Sequence, residues 1–160
     1  MGLDPREPDG EAREMLARIN ETFARGIPHN RAMGLQILSI SSAECRGRLP
    51  YKPELVGNAE SGVLHGGAIT ALIDAVSGGA VFAAMRRTTR VATLDLRIDY
   101  LKPASPERDV ICEASCYKLT RSVAFTRAIA HHGDASDLIA SSAGTFMVMS
   151  DPRSGVAEAP

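Results

Sequence analysis

The sequence predicts an α+β domain in which a curved antiparallel β-sheet wraps one long central helix, with a peripheral helix at the N-terminus. Three observations carry this expectation. The run from His65 to Met85 is nearly free of polar side chains, as in a helix covered on every side. The segment Leu94 to Tyr100 alternates Leu94, Leu96, Ile98 and Tyr100 with Asp95, Arg97 and Asp99, the period-two pattern of a strand with one wet face. Most of the remaining chain divides into short apolar runs bounded by turn formers, which read as further strands. One helix cannot cover both faces of such a sheet, so layered α+β packing follows, with apolar surface left over for self-association.

Taken in order, Asp9 is a candidate cap for a helix to Arg25, because Met15, Leu16, Ile19 and Phe23 share one face and Gly26 with Pro28 ends it. Leu35 to Ile40 and Ala43 to Leu49 read as strands. The loop from Pro50 to Leu64 holds Pro53, Gly57, Asn58, Ser61 and Gly62 and delivers the chain to His65. In the central helix, Ile69, Leu72 and Val76 sit among Ala68, Ala71, Ala75, Gly79 and Ala80. Gly78-Gly79 costs about 1 kcal/mol of helix propensity per glycine, so tertiary packing must hold this stretch. Thr70, Asp74 and Ser77 interrupt it, which argues for a buried helix rather than a membrane span of about 18 unbroken apolar residues. After a basic turn from Arg86 to Arg90 and the alternating strand, Pro103 and Pro106 bracket a turn. Val110 to Lys118, Ser122 to His131 and Leu138 to Met149 then suggest an antiparallel meander, with turns at Thr120-Arg121 and Gly133-Asp134. The expected division is a helical extension over 1–29, a domain over 30–149 and a flexible tail over 150–160.

Composition narrows the function. A chain of 160 residues with 44% hydrophobic and 23% charged side chains is one ordinary globular domain. Eighteen basic against nineteen acidic residues give a net charge of -1, no field to recruit nucleic acid or an anionic membrane, and 4% aromatics without tryptophan give no base-stacking platform. The three cysteines form no C-x-x-C pair, and the first residues have neither an apolar secretion segment nor an acylation motif, so a cytoplasmic location with free thiols is expected. There is no G-x-S-x-G elbow, phosphate-binding loop or G-x-G-x-x-G run. His131-His132 with Asp134 and Asp137 does not suit a metal, because adjacent strand residues point to opposite faces, and no metal is expected.

Two features remain that carry chemistry. Asp74 is the lone carboxylate in its apolar helix, where an unpaired charge is costly, so it needs a partner, water or a catalytic task. Spacing alone leaves a structural tie to a facing subunit as good a reading as catalysis. His65-Gly66-Gly67 sits where the loop enters the helix, offering backbone N–H groups at the positive end of the dipole to a carbonyl or oxyanion, although two glycines also simply ease such an entry. Gly66 and Asp74 are eight residues apart, about 12 Å along one helix, too far to act on one reacting group. Two antiparallel copies of the helix across a two-fold axis would bring Asp74 of one protomer beside Gly66 and Gly67 of the other, giving two equivalent composite sites in a homodimer or a homotetramer.

The run HGGAITALID followed by ATLDLRIDYLKPA resembles the hotdog-fold acyl-CoA thioesterases of the phenylacetate-degradation (PaaI-like) branch, over about residues 30 to 149. The resemblance implies the hotdog fold, a sheet wrapped round one helix, in agreement with the pattern above. It implies that Asp74 is the catalytic carboxylate, either general base or nucleophile, and that Gly66 presents the N–H that polarises the thioester carbonyl, assisted by Gly67. It makes His65 a site-lining residue. Asn58 corresponds to the family's asparagine ahead of H-G-G, one residue farther away than usual, and Thr93 falls where a hydroxyl often orients the attacking water. Strand parity sets Thr93 with the solvent-facing Asp95, Arg97 and Asp99 unless a bulge intervenes or this face lies at the subunit interface. The nucleotide contacts it implies fall at Arg121 and Ser122, with Thr120 replacing the usual glycine; Lys102 and Arg90 are further phosphate donors, beside Arg86, Arg87 and Lys118.

The reaction implied is hydrolysis of an acyl- or aryl-acyl-CoA to acid and free coenzyme A, with no cofactor apart from the coenzyme A of the substrate. A non-catalytic acyl-CoA-binding module, with Asp74 tying the interface, is the rival from another class. A hotdog dehydratase or hydratase ranks behind both, since the only histidine near the helix stands at its start.

Overall fold

The computed structural model describes residues 10–85 and 90–149. Asp9, most of the basic turn and the tail from Ser150 lie outside the described residues. The elements are α1 (Gly10–Ile19), a π-helical stretch (Asn20–Arg25), α2 (Pro28–Met33), β1 (Gln36–Ser41), β2 (Glu44–Leu49), α3 (Gly66–Ala84), β3 (Arg90–Tyr100), β4 (Val110–Leu119), β5 (Val123–His131) and β6 (Leu138–Met149). The strands form one antiparallel sheet in the order β1-β2-β4-β5-β6-β3. The three meander strands pair in sequence, and β3 joins at the edge beside β6.

At the N-terminus the structure departs from expectation. Pro28 does not merely stop the first helix: it occupies the first turn of α2, where its missing N–H is lost to no partner. The expected boundary at residue 29 therefore falls inside α2. The extension is fastened to the sheet through Asn20, whose Oδ1 accepts from the Ile37 N–H at 2.8 Å and whose Nδ2 donates to the Ile37 carbonyl at 2.9 Å. Farther on, Phe23 meets Phe82 of α3 edge to face at 6.4 Å.

Strand alternation decides which side chains reach α3. Cys45 and Leu49 on β2, Val110, Cys112 and Ala114 on β4, and Ala124, Ala128 and Ala130 on β5 are buried with Leu72, Ile73, Val76 and Val81 of the helix. Arg46, Arg48 and Glu113 take the opposite phase, and Arg46 pairs with Glu113 at 3.0 Å on the outer face. Many of the inward side chains are small, which lets the strands close on the helix. Gly47 marks the tightest approach: a Cβ there would lie 2.5 Å from Val76 Cγ2.

The central helix is less enclosed than its composition suggests. By length and apolar character α3 would pass for a membrane span, yet half of that window is buried inside the sheet. One broad side is buried, whereas Thr70, Ala71, Asp74, Ala75, Gly78 and Phe82 stay half-buried or exposed. A helix apolar all round is thus surrounded on only one side within the protomer, since β3, the strand on the open flank, is a sheet edge.

Gly47→Ala should destabilise the fold by about 1–3 kcal/mol through overpacking against Val76. Urea unfolding monitored by circular dichroism measures it, and an unchanged midpoint would show that the β2–α3 contact is loose.

Candidate active site

The loop ahead of α3 is held to the helix entry by backbone bonds: His65 N–H donates to the Leu55 carbonyl at 2.8 Å and Gly57 N–H to the Val63 carbonyl at 2.9 Å. A Cβ on Gly57 would lie 2.8 Å from the His65 Cα, so only glycine permits this approach. Asn58 stays within the loop, its Oδ1 accepting from the Glu60 and Ser61 N–H groups at 2.9 and 3.1 Å. That Asx turn shapes the chain ahead of His65.

His65 is the N-cap of α3, and its Nδ1 accepts the Gly67 N–H at 2.9 Å. The sequence reading treated both glycine amides as open donors; this cap commits the one on Gly67, while the Gly66 N–H has no partner among the described residues. The Gly66 carbonyl is bound twice, by Tyr100 Oη at 2.6 Å and by Thr70 Oγ1 at 3.1 Å, and those two hydroxyls lie 2.8 Å apart. Drawing hydrogen-bond donors onto this carbonyl polarises the helix entry and pins it to the end of β3. Tyr100 and Thr70 escaped sequence reasoning. Tyr100 falls in the apolar phase of β3, and nothing in that alternation marks its hydroxyl as a tie to the helix entry.

Eight residues along α3, half-buried Asp74 accepts a hydrogen bond on Oδ1 from Thr93 Oγ1 at 2.7 Å. Of the two ways in which Thr93 can escape the solvent-facing phase, a bulge is present. The β3–β6 register jumps between Thr93, opposite Phe146, and Asp95, opposite Thr145, leaving Leu94 unpaired. The extra residue turns Thr93 to the helix side, in phase with Tyr100, while Asp95, Arg97 and Asp99 remain exposed. The Thr93 hydroxyl occupies one oxygen of Asp74 and holds the carboxylate in one orientation, leaving the second oxygen available to a reactant.

The four expected phosphate donors divide between opposite ends of the sheet. Arg90 begins β3 opposite Met149, and the Arg121-Ser122 turn lies at the same end, where the Ser122 carbonyl accepts the Val148 N–H at 2.9 Å. Lys102 stands past the other end of β3, paired with Asp137. Strand rise separates it from Arg90 by about 40 Å. One protomer does not gather these cations around one nucleotide.

Neither the cysteines nor the histidine pair form a rival centre. Burial pushes the Cys45 thiol up to about 12 and raises Cys112 and Cys116 too, which disfavours a thiolate nucleophile. His132 Nε2 accepts the Ser105 N–H at 2.8 Å while its Nδ1 meets the Asp109 carbonyl at 2.7 Å, and His131 Nδ1 accepts the Gly133 N–H at 2.9 Å. His131 thereby orders the start of the β5–β6 turn, and His132 fastens it to the connection between β3 and β4.

Known proteins resemble this chain in sequence and fold. A family profile described as thioesterase superfamily matches residues 61–139, from the loop ahead of α3 into the start of β6. A Salmonella typhimurium protein named medium/long-chain acyl-CoA thioesterase YigI is 30% identical over 150 residues, covering 86% of this chain and 96% of its own. A crystal structure from Pseudomonas aeruginosa is 40% identical, superposes with a TM-score of 0.75 and covers 84% of this chain and 99% of that one. The phenylacetic acid degradation protein PaaI of Thermus thermophilus, at 24% identity, TM-score 0.67 and coverage of 76% of this chain and 99% of its own, shares the fold. With a related sequence matched along nearly its whole length and the sheet wound about a helix that opens on H-G-G, this chain belongs to the thioesterase superfamily and has its hotdog fold.

Proposed function

We propose that this protein hydrolyses acyl-CoA thioesters, with medium- to long-chain acyl groups as its substrates and Asp74 as the general base. The observation that carries the reading is the pairing of a free N–H at Gly66 with a carboxylate oriented by Thr93, two groups of opposite character on one helix. The named activity of the Salmonella typhimurium relative supports the acyl-CoA class and the chain length.

In the proposed reaction Asp74 takes a proton from water as the water oxygen bonds to the thioester carbon. The carbonyl oxygen gains negative charge, which the Gly66 N–H and the helix dipole stabilise. The carbon–sulfur bond then breaks, the proton passes to the coenzyme A sulfur, and acid and free thiol leave. Asp74 is regenerated and no other reactant is consumed. The Thr93 hydroxyl holds Oδ1 still and leaves the other oxygen of Asp74 to take the proton.

The two groups lie about 12 Å apart along α3, so the reading requires a homodimer in which antiparallel α3 helices join Asp74 of one protomer to Gly66 of its partner. Three features support it. A Cβ on Gly66 would come no nearer than 3.4 Å to any neighbour, and one on Gly78 no nearer than 3.9 Å, so nothing inside the protomer demands glycine at either place. Both lie on the uncovered side of α3, where a facing backbone or ligand would demand it. The edge strand β3 and the residue after it expose Leu94 (51%), Tyr100 (47%) and Leu101 (59%), a hydrophobic edge that pairing with a second β3 would cover. A dimer built this way also brings Lys102 of one protomer toward the Arg90 and Arg121 end of the other, which suits a shared phosphate site. Three buried free cysteines support a reducing, cytoplasmic setting.

Asp74→Asn keeps the shape of the side chain and should lower kcat by at least about 100-fold with the oligomer intact, measured by thiol release from dodecanoyl-CoA. Undiminished turnover removes Asp74 from the mechanism, and no thiol release from any acyl-CoA by the unaltered protein would favour a binding module. Asp74→Asn and Gly66→Leu chains, each inactive, should regain activity when mixed and allowed to exchange subunits; proven heterodimers without activity would exclude a shared site. With Asp74 as base, rapid-quench mass spectrometry should find the chain unmodified during turnover, whereas an acyl adduct on Asp74 would assign it as nucleophile.

A further inference from the structure

An apolar cleft of about 350 Å3 opens between the N-terminal helices, β1 and the C-terminal half of α3, bounded by Ile19, Phe23, Ile37, Ile40, Gly79 and Phe82. Its volume lies within the range of small-molecule sites. The cleft does not belong to the Gly66–Asp74 arrangement, and nothing in the mechanism uses it. We infer that it is the chamber for the acyl tail of the substrate, so that the N-terminal extension sets the chain length the enzyme accepts. The inference rests on the thioester-hydrolase reading and adds where the tail goes.

Helix geometry connects the two places. Asp74, Gly78 and Phe82 follow one another at four-residue spacing and therefore form one row along α3. Between the carboxylate and Phe82, about 12 Å away, this row presents only Gly78, and the neighbouring Ala75 adds one methyl group. An aliphatic chain whose carbonyl carbon is at Asp74 meets no bulky side chain of α3 itself along this row until Phe82, where the cleft begins, and the Phe146 ring, 3.9 Å from where a Gly78 Cβ would stand, borders the path. The path leads toward the C-terminal end of α3, away from the Gly66 N–H of the same protomer.

The lining suits an alkyl chain. It is almost wholly carbon, and the floor is backbone: a Cβ on Gly79 would lie 2.7 Å from Cys45 Sγ, so no side chain can grow there without displacing β2. Phe82 remains 38% exposed at the mouth, an apolar surface that water covers only at a cost and an acyl chain would shield. Ile19 and Phe23 both come from the extension, which Asn20 clamps to β1, so this wall is rigidly placed. Each methylene moved from water into such a cleft favours binding by about fourfold, which turns chain length into selectivity.

The test compares dodecanoyl-CoA with butyryl-CoA by thiol release, using the intact protein and two variants that fill the cleft. Thr22→Trp adds bulk from an exposed helix position bordering the cleft, and Ile40→Phe adds it from the strand side. In each, the ratio of kcat/KM for dodecanoyl- to butyryl-CoA should fall at least about tenfold, the worth of roughly two methylenes. Circular dichroism establishes that each variant is folded, and Thr22→Trp alone carries the test if Ile40→Phe is not. A folded variant whose ratio equals that of the unaltered protein overturns the chamber while leaving the hydrolase reading intact. An unaltered ratio together with a changed oligomeric state assigns the cleft to contact between copies instead. Failure of the unaltered protein to hydrolyse either thioester overturns the hydrolase reading itself, and the chamber with it.

Discussion

The one-sided grip of the sheet on α3 is the constraint from which the rest of the molecule follows. Small inward residues on β2, β4 and β5 let the sheet close on Leu72, Ile73 and Val76, and the 2.5 Å that a Gly47 Cβ would leave to Val76 measures how little room remains. Because the sheet ends at β3, the grip stops short of a full turn. The side of α3 that stays uncovered carries Asp74, Gly78 and Phe82. The helix is therefore a core element on one side and an open surface carrying one carboxylate on the other.

Polar contacts then bind this open side to the edge strand at two points. At the helix entry Tyr100 and Thr70 converge on the Gly66 carbonyl, and two turns later Thr93 reaches Asp74. Both anchors come from β3, and both depend on its phase. The bulge at Leu94 lets Thr93 and Tyr100 serve the same face although they are seven positions apart. Without it, one anchor would point to solvent and the carboxylate would lose its orienting hydroxyl. His65 completes the entry by consuming the Gly67 amide, so one N–H rather than two is presented to a ligand.

Much of the fold was legible because periodicity is a local property. The apolar run from His65 to Met85, the alternation of β3 and the turn residues around the meander lead to nearly the observed elements, since each reflects one face turned toward a core. Legibility failed where a residue's role depends on distant neighbours. The first helical segment ends at Arg25 as read, but Pro28 also opens α2, a second role that only the path of the chain to β1 selects. Arg121, Ser122, Lys102 and Arg90 share a chemistry visible in the sequence, whereas the end of the sheet at which each stands is set by strand pairing.

Residue types and their spacing thus determined on their own that one acid lies in one apolar helix, that a glycine pair opens it, and that the two stand too far apart to share a reactant. Those are consequences of helical rise and of the cost of an unpaired charge, and no partner is needed to compute them. Tertiary structure decided which amide is free, which hydroxyl holds the acid, and which side of the helix is left open. Each of those is settled by a contact between segments far apart in the chain, through a histidine turned back on its own helix, a one-residue bulge in an edge strand, and a sheet that ends before it closes.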